Sequence, residues 1–293
     1  MRILILGGTG LIGLGLSTVF HSRNVNFISS IRKHYKTNYK WSTVELDIST
    51  STTSEDVERL ISENEVTHVI NCIGLTKHRA NQCTNAELEF LNVYLPSLIG
   101  IASLRCGAKL VHVSTDCVFG DSSLDIMRCE ESKPSPSDSY GIQKLLGEIY
   151  SEGDIITIRT STYGFESGTQ LGLLEWFLNS QTSVSGYSEA YFSGISTQSL
   201  GKVILSIIEE NHFYQPLLNI SGPKIDKFTF LTLVKDIFGM NISINKNANV
   251  YINRCLSNKK MLGLGLDPIA SHEEQLLELK NVFYTYYQEI NYK

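Results

Sequence analysis

The 293-residue sequence contains no run of about 18 apolar residues, so it offers no candidate membrane-spanning helix. Lys/Arg-rich runs are also missing and the formal net charge is −5, which excludes the basic footprint of a nucleic-acid binder. The six cysteines, Cys72, Cys83, Cys106, Cys117, Cys129 and Cys255, show no C-x-x-C spacing. That scatter argues against a zinc site and a dithiol redox motif, and it suits reduced thiols. No Asp/Glu/His cluster has metal-ligand spacing, so there is no ground for a catalytic metal. Internal repeats and low-complexity tracts are absent. The opening MRILILGGTG enters a strand pattern at once, without a long apolar region and a small-residue cleavage site. The expectation is a cytoplasmic protein with neither nucleic acid nor membrane as partner.

What is present is a core-forming chain with 42% hydrophobic residues. Short β-branched runs (RILIL, NFISS, STVELD, THVINCIG, KLVHVST, DIITIRT) alternate with segments carrying apolar residues at i, i+3, i+4 spacing (LIGLGLSTVFHS, SEDVERLISEN, AELEFLNVYLPSLIGIASLRC, SYGIQKLLGEIYSE). This rhythm predicts an α/β fold of the Rossmann type, a doubly wound parallel sheet over residues 1–163. After RTSTYGF the rhythm breaks into Gly/Ser/Tyr-rich loops, which predicts a smaller C-terminal α/β substrate-binding region over 164–293, with 196–221 packing back onto the first domain. Trp176 and Phe177 read as the core of an amphipathic helix, and Tyr187 to Gly194 as a loop able to touch a ligand.

Gly7-x-x-Gly10-x-x-Gly13 follows a strand and opens a helix, where close backbone approach and a helix N-terminus can hold a pyrophosphate. Thr9, Leu11 and Ile12 complete that loop as candidate dinucleotide contacts. At the end of the next strand, NFISSIRKHYK has no Asp or Glu for ribose hydroxyls; Ser29, Ser30, Arg32 and Lys33 instead suit a ribose phosphate. NADP(H) is therefore the expected cofactor, with NAD(H) still open and a solvated basic loop as the plain alternative. VHVSTDCVFGD then places Ser114, Thr115 and Asp116 at the carboxyl edge of the sheet, and Tyr140 and Lys144 lie one helical turn apart.

The glycine loop, VHVSTDCVFG, EESKPSPSDSYGIQKLLGE and ITIRTSTYG together resemble the extended, sugar-nucleotide branch of the short-chain dehydrogenases/reductases, in particular the dTDP-4-dehydrorhamnose reductases. The likeness is closest over roughly the first 165 residues. It implies reduction of the 4-keto group of a nucleotide-activated 6-deoxy sugar, for deoxysugar and surface polysaccharide synthesis, with Thr115 on the substrate carbonyl, Tyr140 as proton donor and Lys144 lowering the phenol pKa while holding the nicotinamide ribose. It further implies cofactor contacts at Asp47, Ile48, Cys72, Ile73, Gly74 and Asn92, although Asp47 also reads as a turn cap and Cys72 as strand-end packing. Substrate contacts are implied at Thr76, Lys77, Asp116, Cys117, Thr162, Tyr187 and Arg254, and a homodimer is compatible.

Two positions depart from the family pattern: Cys117 stands where a tyrosine usually follows STD, and Thr162 where an aromatic residue is usual. The cysteine occupies the acid/base position of bifunctional 3,5-epimerase/4-reductases of the GDP-fucose synthase type, which is the alternative reading; a non-catalytic NADP-binding regulatory subunit is another. The glutamate that completes the pair in sugar-nucleotide dehydratases is missing.

Overall fold

A computed structural model describes residues 1–33, 39–76, 83–121, 126–166, 171–283 and 285. Its first half alternates as the periodicities require. The order is β1 (Ile3–Leu6), α1 (Leu11–Ser22), β2 (Phe27–Ile31), β3 (Thr43–Glu45), α2 (Ser54–Glu63), β4 (His68–Asn71), α3 (Asn85–Glu89), α4 (Leu95–Arg105), β5 (Lys109–Val113), α5 (Ser139–Leu146) and β6 (Ile155–Arg159). A π-helical turn, Phe90–Tyr94, joins α3 to α4, and Pro96 enters α4 in its first turn, where its missing N–H costs nothing. The remainder runs β7 (Thr162–Tyr163), α6 (Leu173–Leu178), β8 (Val184–Tyr187), β9 (Ala190–Phe192), β10 (Ile195–Ser196), α7 (Thr197–Glu209), β11 (Leu217–Asn219), β12 (Ile225–Asp226), α8 (Lys227–Phe238), β13 (Ile244–Asn247), β14 (Ile252–Asn253), α9 (Lys259–Gly263) and α10 (His272–Val282).

Seven strands form one parallel sheet in the order β11-β6-β5-β4-β1-β2-β3. Its central strands are buried on both faces, which is why RILIL and KLVHV read as continuous apolar runs rather than alternations. One face packs on α1 and α7 through Leu16, Phe20, Leu200 and Ile204; the other packs on α2 and α4 through Val57, Ile61, Leu95 and Ile99. The strand order reverses between β1 and β4, and the crevice at that reversal, above the carboxyl ends of the strands, is where ligands of such sheets bind.

A third core, built on Tyr163, Phe165, Phe177, Phe192 and Phe230, lies under three small sheets in the C-terminal part. Here two expectations need correction. Trp176 is 46% exposed while Phe177 is fully buried, because the short helix α6 turns only one of two adjacent positions inward. The segment from Tyr187 is not loop: Tyr187 ends β8, which pairs with β13 and alternates buried and exposed residues, so Tyr187 stands on the outward side.

Candidate active site

The loop between β1 and α1 is shaped for a phosphate. Gly7 has φ +84°, and a Cβ on Gly13 would lie 2.2 Å from the Gly7 carbonyl oxygen, so the turn closes only with glycine at both places. Gly10 is the N-cap of α1 and supplies no capping side chain, and no acidic residue stands in the first turn. The helix therefore presents unpaired N–H groups and its positive end to the crevice, which fits a dinucleotide pyrophosphate. Gly10, Leu11 and Ile12 line part of a cleft of about 330 Å³, whose walls also include Cys72, Gly74, Thr76, Thr115, Asp116, Cys117, Tyr140 and Thr162.

Around the carboxyl end of β2 the outcome is mixed. Ser29 and Ser30 are buried and fold the loop: Ser30 Oγ accepts the Gly7 N–H at 2.9 Å, and Ser29 Oγ accepts Trp41 Nε1–H at 2.9 Å. They are taken from the expected phosphate contacts because the turn needs its amide partner. Arg32 and Lys33 are exposed, and the Lys33 N–H donates to Asp47 Oδ1 at 2.9 Å. Ile48 packs on the core beside α2 rather than facing a ligand. Asn92 is fully buried and serves as a brace: its Oδ1 accepts the Leu75 N–H at 2.9 Å, and its Nδ2 donates to Leu75 O and to Gln143 Oε1. It thereby fixes the turn after β4, whose Ile73 side chain lies against Gly7. Lys77 lies outside the described residues.

The candidate reactive groups come from two elements. Thr115 ends the extended backbone after β5 and accepts the Cys117 N–H on Oγ1 at 3.2 Å; the Asp116 N–H donates to Thr160 O at 3.1 Å, tying this corner to the end of β6. Asp138 caps α5 by accepting the Gly141 N–H at 2.8 Å. A Cβ on Gly141 would sit 2.2 Å from the Cys117 carbonyl oxygen, so a glycine lets α5 approach closely enough to bring Tyr140 to Thr115.

Lys144 and Tyr140 share α5, but their charges are arranged differently from expectation. The Lys144 ammonium is buried and donates to Val113 O at 2.9 Å. Burial lowers its pKa to about 8, with Glu148 and Cys72 working the other way. The Tyr140 phenol is raised, first by burial and then by Cys117, Asp116 and Asp138, while the Thr115 hydroxyl beside it acts in the opposite direction. Lys144 exerts no resolved pull on the phenol, because its side chain runs to the strand end. The expected lowering of the phenol is thus reversed, and Tyr140 is a protonated group at neutral pH.

Asp116 is buried, and burial raises its pKa against the opposing influence of Arg254 and Lys227. Cys117 is raised to about 11 by burial and by Asp116, so it is a thiol rather than a thiolate. Its Sγ lies 3.1 Å from Arg254 Nη1, whose Nε donates to Asp121 at 2.6 Å. Arg254 therefore braces the Cys117 wall instead of standing free for a diphosphate.

Three contributors escaped the sequence reading. Thr160 Oγ1, at the edge of the cleft, is buried without a hydrogen-bond partner among the described residues. Glu148 accepts from Arg159 Nε and Nη2 at 2.8 and 2.7 Å and from Ser114 Oγ at 2.8 Å, with Tyr150 also donating to it; it lies one turn beyond Lys144, so its helical spacing was a usable signal. Lys227, at the start of α8, holds its ammonium over the Phe192 ring, and its charge and that of Asp116 act on each other; it had no such signal.

Comparisons with known proteins agree with this fold. The chain is 30% identical over 110 residues to a dTDP-4-dehydrorhamnose reductase of Burkholderia thailandensis, a stretch covering 36% of this chain and 37% of that protein. The chain thus spans only about a third of the length of that curated relative. Among solved structures, a dTDP-4-dehydrorhamnose reductase of Clostridium acetobutylicum matches with a TM-score of 0.78 at 19% identity, covering 97% of this chain and 100% of the other. One from Bacillus anthracis, in complex with NADP, gives 0.76 at 19% identity over 96% of this chain and 98% of its own. These structures share the fold. The RmlD substrate binding domain description matches residues 1–212, well over half of the sequence, and the chain belongs to that family.

Proposed function

We propose that the protein is an NADPH-dependent reductase of the 4-keto group of a nucleotide-linked 6-deoxy sugar. The observation that carries this reading is the convergence of Thr115, Tyr140 and the glycine-lined N-terminus of α1 on one cleft. Bound coenzyme supplies a hydride to the keto carbon. Thr115 donates a hydrogen bond to the carbonyl oxygen, polarising it, and Tyr140 delivers the proton that oxygen requires as negative charge develops there. A phenol kept protonated by burial is in the state a proton donor needs. Lys144, held at the end of β5 beside Gly74, contributes a fixed positive charge next to the coenzyme crevice. Arg32 and Lys33, exposed after β2, suit a 2′-phosphate. The neutral Cys117 thiol does not favour a proton shuttle at the neighbouring carbons.

Coenzyme oxidation, followed at the nicotinamide absorbance, tests the reading against dTDP-, UDP-, GDP- and CDP-linked 4-keto-6-deoxy sugars. Oxidation with at least one is expected; a flat trace with all of them, from protein that binds NADPH, would leave the regulatory-subunit reading in its place.

A further inference from the structure

Ser114 stands where the buried ion pair of Glu148 and Arg159 meets the corner that holds Thr115. Its Oγ donates to Glu148 Oε1 at 2.8 Å, the oxygen that also takes Arg159 Nε at 2.8 Å, while Arg159 Nη2 and the Tyr150 hydroxyl donate to Oε2. A carboxylate only accepts, so the single proton of the Ser114 hydroxyl is committed to Glu148. Ser114 lines the cleft, yet it has no donor left for a ligand there. Its backbone is tied as firmly. The Ser114 N–H donates to Ile158 O at 2.7 Å and the Asp116 N–H to Thr160 O at 3.1 Å, so Thr115 is suspended between two residues fixed to the end of β6.

The α5 segment grips the same strand end twice. Lys144 donates to Val113 O at 2.9 Å, and Glu148, one turn further on and just past the C-cap Gly147, takes the Ser114 hydroxyl. Two bonds from points one turn apart, made to consecutive residues of one strand end, fix both the slide and the rotation of the helix; a single bond would leave a pivot. Tyr140 rides on that helix, and Thr115 is the next residue along the strand end. We propose that Ser114 and Glu148 are positioning residues for proton transfer, their hydrogen bond locking α5 in the register that sets the Tyr140 phenol against Thr115. The assignment rests on the proposed function and deepens it. Its consequence is a loss confined to the chemical step, because proton transfer is steep in distance and angle whereas coenzyme binding draws on the glycine loop.

Ser114→Ala opens this clamp and leaves Arg159 and Tyr150 on Glu148, so the buried pair survives. Steady-state kinetics with a dTDP-linked 4-keto-6-deoxyhexose, or with whichever UDP-, GDP- or CDP-linked form is turned over, should show kcat lower by about tenfold to a hundredfold, with KM and the Kd for NADPH within about twofold. Added to Tyr140→Phe, the same change should alter the residual kcat by no more than about twofold, because the group it positions is gone. Unchanged kcat, a raised KM with kcat kept, which marks a sugar contact, or an equal fall in the Tyr140→Phe background, which marks general loss of structure, would each overturn the assignment. A second measurement needs no sugar. In NADPH-saturated protein isotopically labelled at tyrosine Cζ, the Tyr140 resonance, identified by its absence from Tyr140→Phe, should shift in Ser114→Ala; an unshifted resonance would also overturn the assignment. A flat trace with every sugar from the unmodified protein sinks the reductase reading instead, a separate and recognisable result.

Discussion

Lys144 donates its ammonium to the carbonyl oxygen of Val113 at 2.9 Å, and this bond decides where the charge of the Tyr-x-x-x-Lys pair resides. The lysine belongs to the strand end and the coenzyme crevice; the phenol belongs to the corner made by Thr115, Asp116 and Cys117. The two residues share a helix, and on the proposed function they act on different parts of the reaction.

Removal of the phenol oxygen isolates its role. Tyr140→Phe keeps the ring and should retain NADPH affinity while lowering kcat by roughly 10²–10⁴-fold, the range of a lost general acid. Steady-state kinetics beside fluorescence titration of the coenzyme reads both; near-normal turnover would remove Tyr140 from the mechanism.

Coenzyme binding should depend on pH through Lys144. Burial lowers its pKa to about 8, so the ammonium is present at neutral pH and is lost as the pH rises through about 8. NADPH affinity measured without any sugar should therefore decline above pH 8, and Lys144→Met should be weak throughout with that limb abolished. The groups acting on Lys144, Glu148 and Cys72, both favour its charged form.

On the proposed function the basic pair after β2, Arg32 and Lys33, carries the coenzyme preference. Arg32→Ala combined with Lys33→Ala should raise the Kd for NADPH about tenfold or more and leave NADH almost unchanged, as expected when charge-assisted bonds to a phosphate are deleted. Titrations with the two coenzymes decide it; equal losses for both would assign the pair to general surface charge.

Glu148 and Arg159 are a buried ion pair, with side chains 1% and 3% exposed. Glu148→Gln leaves the guanidinium without its counter-charge and should destabilise the fold by ~3–5 kcal/mol, measured by urea unfolding. An effect below ~1 kcal/mol would show that water or relaxation replaces the carboxylate.

Close packing of α5 gives a geometric test. Gly141→Ala places a methyl group 2.2 Å from the Cys117 carbonyl oxygen, so α5 must shift. Destabilisation of ~1–3 kcal/mol, with a fall in kcat larger than any change in NADPH affinity, is expected because Tyr140 moves with the helix.

Much of the architecture was legible because each layer leaves its own period in the chain. LIGLGLSTVFHS became α1 to the residue, and the β-branched runs became the parallel sheet. The glycine loop was legible for a stronger reason: only glycine tolerates the φ of Gly7 and the contact at Gly13. The assignments that went astray were those in which a side chain's partner is distant in sequence. Ser29 and Ser30 read as contacts for a ribose phosphate, and the structure bonds them to Trp41 and Gly7; Asn92 read as a neighbour of the cofactor, and the structure bonds it to Leu75 and Gln143.

Sequence alone determined the sheet and the glycine-closed turn and named the candidate reactive groups, since hydrophobic period, backbone freedom and functional-group chemistry are local properties. Tertiary structure decided the charge state and employment of those groups. Burial raised the Tyr140 phenol, Val113 captured Lys144, and Arg254 reached Cys117 from the C-terminal part, because desolvation and Coulomb interaction depend on neighbours in space rather than along the chain.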